Sequence, residues 1–249
     1  EYDNQTWIFA VPTTGLAWSK PSVSGSPSAR IDDSIAYDPT IGRLVMFGGL
    51  GSNSQALNDT WVWDGSGWAP YATTNPPPAR SGAGLAYDPA TGQLVLYGGS
   101  DTDGNLLGDT WVLADGTWTR VATGGPSPRT FAALSFDPAE GRLVLFGGRQ
   151  SGGTPLGDTW FWDGSAWSAP GTANAPSAAP PARSKAAFSF DPATGQMLLF
   201  GGAGAGGTAL NDTWVLRVGH WTRLTASGAP SSEEADTPAM DFDAATGQM

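Results

Sequence analysis

An all-β fold, a β-propeller of four-stranded blades, is what this sequence predicts, and three observations predict it. A set of motifs recurs at a period of about 50 residues, the mark of a repeat architecture. Each copy contains short apolar, β-type runs divided by turn signals. Gly 35 and Pro 20 stand beside 12 Trp, 10 Phe and 5 Tyr, so the turn formers punctuate packed strands rather than mark a disordered chain.

Each of four full copies opens with an Arg and a stretch ending in an aromatic and Asp: Tyr37-Asp38, Tyr87-Asp88, Phe136-Asp137 and Phe190-Asp191. This is strand a. The turns DPTIG, DPATG, DPAEG and DPATG follow, in which Pro presets φ and Gly takes the left-handed region. Strand b is LVMFGG (44–49), LVLYGG (94–99), LVLFGG (143–148) and MLLFGG (197–202). Its run is unbroken rather than alternating, which implies burial on both faces, as in a blade held between neighbours. Its paired glycines imply a backbone passing close to another element. An eight-residue loop ending in Leu leads to DTW at 59–61, 109–111, 158–160 and 212–214, the start of strand c. A DG or VG turn then gives a second hairpin into strand d, which begins at Trp68, Trp118, Trp167 or Trp221. From the turn Asp to the first Trp the spacing is 23 residues in every copy, Asp38 to Trp61 through Asp191 to Trp214.

Two partial copies flank the four. NQTWIF (4–9) and Trp18 match strands c and d, and MDFDAATGQM (240–249) matches strand a and its turn. The chain therefore reads as one domain over 1–249, with 1–28 and 232–249 as complementary partial blades. Ten repeat positions between them have no counterpart. The expectation is five blades with a damaged closing blade, or a segment of a larger propeller, and the second is preferred. A start at Glu1 rather than Met adds the expectation of a processed, trimmed or partial chain.

Diglycine after an apolar strand, then (N)D-x-W and a second Trp at close spacing, resembles the kelch repeat, as also found in the central domain of galactose oxidases. The resemblance covers nearly the whole chain, and family members usually have six or seven blades. The lead-ins SPSAR, PPPAR, PSPR and PPAR, ending at Arg30, Arg80, Arg129 and Arg183, share the pattern. The family's histidine three residues later is replaced by Asp33, Ala83, Ala132 and Ala186. The resemblance implies that strand a lines a central channel, one mouth of which carries the b–c and d–a loops.

Arg30, Arg80, Arg129 and Arg183 are then expected to ring that mouth as ligand-binding residues, their guanidinium forks suited to a carboxylate or sulfate. The alternative is that each braces its blade against a DTW aspartate or a backbone carbonyl. Residues 233–235 (Glu-Glu-Ala) interrupt the series in the last copy. The d–a stretches differ in length, 68–80, 118–129 and 167–183, and unequal loops on a rigid scaffold are where specificity tends to sit. The longest is Pro- and Ala-rich, a contact arm or a spacer.

Other chemistry is sparse. All 12 Trp fall on repeat positions and read as core between blades rather than sugar-stacking groups. SDTDGN, with Asp101, Asp103 and Asn105, has the look of a calcium loop but lacks the closing glutamate. His220 has no second histidine to form a metal site or triad with. The sequons at Asn4, Asn58 and Asn211 are by-products of the repeat. No catalytic residue, metal ligand or cofactor site is expected. A net charge of −11 disfavours nucleic acid, which calls for a basic stripe. No apolar run reaches the roughly 18 residues of a membrane span. Without cysteine there is no disulfide or thiolate site, and the redox compartment stays open.

Three functions remain. The first is a non-catalytic recognition or scaffold domain of a secreted or cell-surface protein, binding protein or glycan through the loop face. The second is a sugar epimerase or mutarotase-like enzyme, which calls for Arg, Glu and His around a channel. The third is a structural module of a larger surface assembly. A copper radical oxidase is excluded within this segment, because it requires a cysteine-modified tyrosine and histidine ligands.

Overall fold

The computed structural model describes residues 4–10, 17–20, 25–121, 124–170, 179–225 and 240–241. Blade I is β4 (Ser34–Asp38), β5 (Arg43–Phe47), β7 (Thr60–Trp63) and β8 (Trp68–Pro70). Blade II is β9 (Gly84–Asp88), β10 (Gln93–Tyr97), β11 (Thr110–Ala114) and β12 (Thr117–Val121). Blade III is β13 (Ala133–Asp137), β14 (Arg142–Phe146), β15 (Thr159–Trp162) and β16 (Trp167–Ser168). Blade IV is β17 (Ala187–Asp191), β18 (Gln196–Phe200), β19 (Thr213–Arg217) and β20 (His220–Leu224). Each is an antiparallel meander in the order a-b-c-d. Two short pairs complete the described strands: β1 (Ile8–Ala10) with β2 (Ala17–Ser19), and β3 (Arg30–Ile31) with β6 (Leu50–Gly51).

The a–b turns form as the sequence implies. Gly42, Gly92, Gly141 and Gly195 all have φ between +64° and +72°, and the turn aspartates cap the following residues, Asp38 accepting from the N–H of Thr40 at 2.9 Å. Strand a is innermost: β4 packs on β9, β9 on β13 and β13 on β17.

Strand b explains its own composition. Leu94 and Leu96 of β10 face blade I in a cluster with Val45, Phe47 and Trp118, while Val95 and Tyr97 face blade III with Leu143, Leu145 and Trp167. The strand alternates like any other, but both of its faces meet an apolar neighbour. The same arrangement repeats between blades III and IV, where Val144 and Phe146 meet Met197, Leu199 and Trp221.

Strand d is pinned to the preceding blade through its Trp. The indole N–H of Trp167 donates to Thr110 at 2.9 Å, that of Trp221 to Thr159 at 3.0 Å and that of Trp118 to Thr60 at 3.4 Å. Trp68 donates likewise to Thr6 at 2.9 Å, two residues ahead of β1 and in the sequence place that Thr60, Thr110 and Thr159 hold in the other copies. Of the partial copy at 232–249, Met240 and Asp241 are described. Asp241 accepts from the Ser189 hydroxyl at 3.2 Å, beside strand a of blade IV.

Candidate functional site at the channel mouth

The four lead-in arginines are buried, and Arg80, Arg129 and Arg183 are each only 1% exposed. Each guanidinium forks onto the DTW aspartate of its own blade. Arg80 meets Asp109 at 2.7 and 3.1 Å, and Arg129 meets Asp158 at 2.6 and 2.8 Å. Arg30 pairs with Asp59 and Arg183 with Asp212 in the same way. The same groups donate to the first diglycine carbonyl (Gly48, Gly98, Gly147, Gly201) and, through Nε, to the carbonyl two residues before the arginine. At Arg30 and Arg129 a serine hydroxyl takes the remaining N–H. The first Trp of strand c completes the bracket, its indole donating to the same aspartate at 2.6–2.7 Å.

Burial alone would push these four carboxyls up. The guanidinium and indole hydrogen bonds outweigh it and hold Asp59, Asp109, Asp158 and Asp212 below the usual carboxylate value. Arg30, Arg80, Arg129 and Arg183, expected as ligand-binding residues or as braces, make the bracing contacts here. Each guanidinium donates to acceptors inside its own blade, and Arg80, Arg129 and Arg183 are all but sealed from solvent. Their backbones fasten one blade to the next: Gly99 donates to the Arg129 carbonyl at 2.9 Å, and Arg129 donates to Leu107 at 3.2 Å.

The mouth itself is lined by the residues two and three places after each arginine. Asp32, Asp33, Gly82, Ala83, Phe131, Ala132, Lys185 and Ala186 surround a cavity of about 280 Å³. The first residue of each pair has a left-handed backbone, with φ of +56° at Asp32, +64° at Gly82, +56° at Phe131 and +58° at Lys185. Such a conformation costs a non-glycine residue roughly 1 kcal/mol. It turns the peptide units so that the strain is offset by a hydrogen-bond chain around the mouth. Gly82 donates to Asp32 at 2.8 Å, Phe131 to Gly82 at 2.7 Å and Lys185 to Phe131 at 3.0 Å.

These positions repeat in backbone but not in side chain. Blade I supplies two carboxylates, blade II no polar side chain, blade III an aromatic ring and blade IV an ammonium. Phe131 lies beneath two cations, Lys185 Nζ at 4.9 Å and the Arg149 guanidinium at 5.1 Å from its centroid. Arg149 reaches it because the residue after the diglycine bridges the one after the arginine, Arg149 with Thr130. Among the described residues neither cation is in an ion pair. Burial raises the Asp33 carboxyl, and the neighbouring Asp32 charge adds to this, against its own backbone N–H and Arg30.

The KLHDC2/KLHL20/DRC7 kelch-repeats domain family matches residues 64–235. The chain belongs to the kelch-repeat family. Among solved structures, one titled "Structure of YjhT" is similar over 90% of this chain and 84% of that one, with a TM-score of 0.67 and 14% identity, a likeness of fold. No curated protein matches the chain.

In this kelch scaffold the remaining candidates have local roles. The Asp101 carboxylate accepts from the N–H groups of Asp103 and Asn105 and the Asn105 amide, at 2.8–3.0 Å, and so organises its own loop. His220 opens β20, opposite Arg217 and at the outer hairpin of its blade rather than the channel. Residues 171–178, within the longest d–a stretch, and Glu233 and Glu234 lie outside the described residues. Phe131, Lys185, Asp32 and Arg149 were not singled out in the sequence. The signal that could have found them is charge or aromaticity at a position where the other copies carry something unrelated, such as Leu50, Ser100 and Ala203 against Arg149.

Proposed function

We propose that this kelch propeller is a non-catalytic recognition module that takes its protein or glycan partner at the channel mouth, within a secreted or cell-surface protein. The observation that carries the reading is the contrast between an invariant bracket and an unlike set of mouth side chains. Every blade repeats the Arg–Asp–Trp frame, yet the mouth presents acid, aromatic and base in different blades. A scaffold alone has no need of that asymmetry, whereas selective binding does. The enzyme reading is less well supported, since it depends on channel arginines and the four present are occupied as braces.

Glycan and peptide arrays probed with the protein and with Phe131→Ala test this. The expected result is a ligand set bound by the parent and lost in the variant. Binding indifferent to Phe131 would sink the mouth as the site, and turnover of any bound sugar would overturn the non-catalytic reading. Fractionation of the source cells tests the setting, with recovery in the cytoplasm counting against it.

A further inference from the structure

The lining of the mouth cavity carries charge of both signs. Asp32 and Asp33 come from blade I and Lys185 from blade IV, and Phe131, Ala83, Ala132 and Ala186 share the lining. A simple anion drawn to Lys185 would lie in the same small space as two carboxylates, in a protein of net charge −11. A simple cation drawn to the aspartates would meet the ammonium. A ligand with one group of each sign satisfies both kinds of lining charge at once, and its apolar middle suits Phe131 and the alanines. The cavity is small, about 280 Å³, at the low end of small-molecule sites. Resting on the channel-mouth reading above, we infer that the cavity binds a small zwitterionic group, its carboxylate on Lys185 and Arg149 and its ammonium on Asp32 and Asp33.

Arg149 has a part that the sequence repeat hides. Its guanidinium and the Lys185 ammonium lie 5.1 and 4.9 Å from the centre of the Phe131 ring, and two cations about one ring, neither in an ion pair among the described residues, favour an incoming anion. On the other side, Asp33 is partly buried while Asp32 shares its rim. A carboxyl whose ionisation is disfavoured by burial is relieved by an ammonium placed against it.

The test is isothermal titration with ω-amino carboxylates of increasing length (4-aminobutanoate, 6-aminohexanoate, 8-aminooctanoate), against hexanoate and hexylamine. One member of the series is expected to bind about tenfold or more tighter than either single-charged control, as two charge-assisted contacts exceed one. Lys185→Asn, chosen because Asn tolerates the left-handed backbone, is expected to reduce that member to the affinity of hexylamine. Asp33→Asn is expected to reduce it to that of hexanoate. Circular dichroism confirms that each variant is folded. No binding by the series, or equal binding of all five compounds, overturns the zwitterion inference. An array partner that depends on Phe131 but not on Lys185 or Asp33 overturns it too, and leaves the recognition module standing.

Discussion

A single arginine per repeat holds together three strands and two blades, and the consequence of losing it depends on how dry its partner is. Asp109 and Asp212 have side chains 12% and 10% exposed, against 40% and 41% for Asp59 and Asp158. Removing the guanidinium strands a carboxylate that water reaches poorly in the first pair and well in the second. Arg80→Ala is therefore expected to cost about 3–5 kcal/mol in urea unfolding, and Arg129→Ala roughly half of that. Equal losses at the two sites would contradict this account. The diglycine gives a second residue-scale prediction. A Cβ at Gly98, where φ is +72°, would lie 2.5 Å from the Arg129 carbonyl oxygen, whereas one at Gly104, φ +81°, would meet open space. Gly98→Ala is expected to lower stability by about 2 kcal/mol or more, and Gly104→Ala by about 1.

Within and between blades, the Trp–Thr contact and the bracket set the energetics. Trp167→Phe keeps a ring against Tyr97, whose centroid is 5.2 Å away, but loses the 2.9 Å bond to Thr110. The expected loss is about 1 kcal/mol for the hydrogen bond plus a packing term for the smaller ring. Trp118→Phe, whose bond to Thr60 is 3.4 Å, is expected to lose less, a difference that thermal unfolding resolves. The brackets also fix the acid response of each blade. Their four aspartates have folded-state values below the unfolded one, so their contribution is fully present above pH ~4 and is lost as pH falls through the folded values. Asp33 has the opposite sign, because its raised value makes ionisation unfavourable to folding as pH rises. The urea midpoint is expected to drop steeply below pH ~4 in the parent and less steeply in Arg80→Ala. Asp33→Asn is expected to raise the midpoint at pH 7.

At the scale of the whole molecule, the channel is where four repeats about 50 residues apart converge, and this decides how much could be read beforehand. Strand order, turn positions and double-sided burial of strand b were legible, because each follows from a local pattern such as DPATG or LVLFGG repeated at fixed spacing. The bracket was half legible. Arginine 29 residues ahead of aspartate is visible in every copy, but a brace and a ligand-binding fork look alike in sequence and differ only in burial and contacts. The mouth was hardly legible, since Asp33 reads only as a replaced histidine and no local pattern marks Phe131 or Lys185. By itself the sequence determined the blade, its strands and its turns, which depend on neighbours within one repeat. Only the tertiary structure decided that the arginines face inward, that Asp32, Phe131 and Lys185 share one cavity, and that Arg149 meets the Phe131 ring. Ring geometry, not chain distance, brings those side chains together.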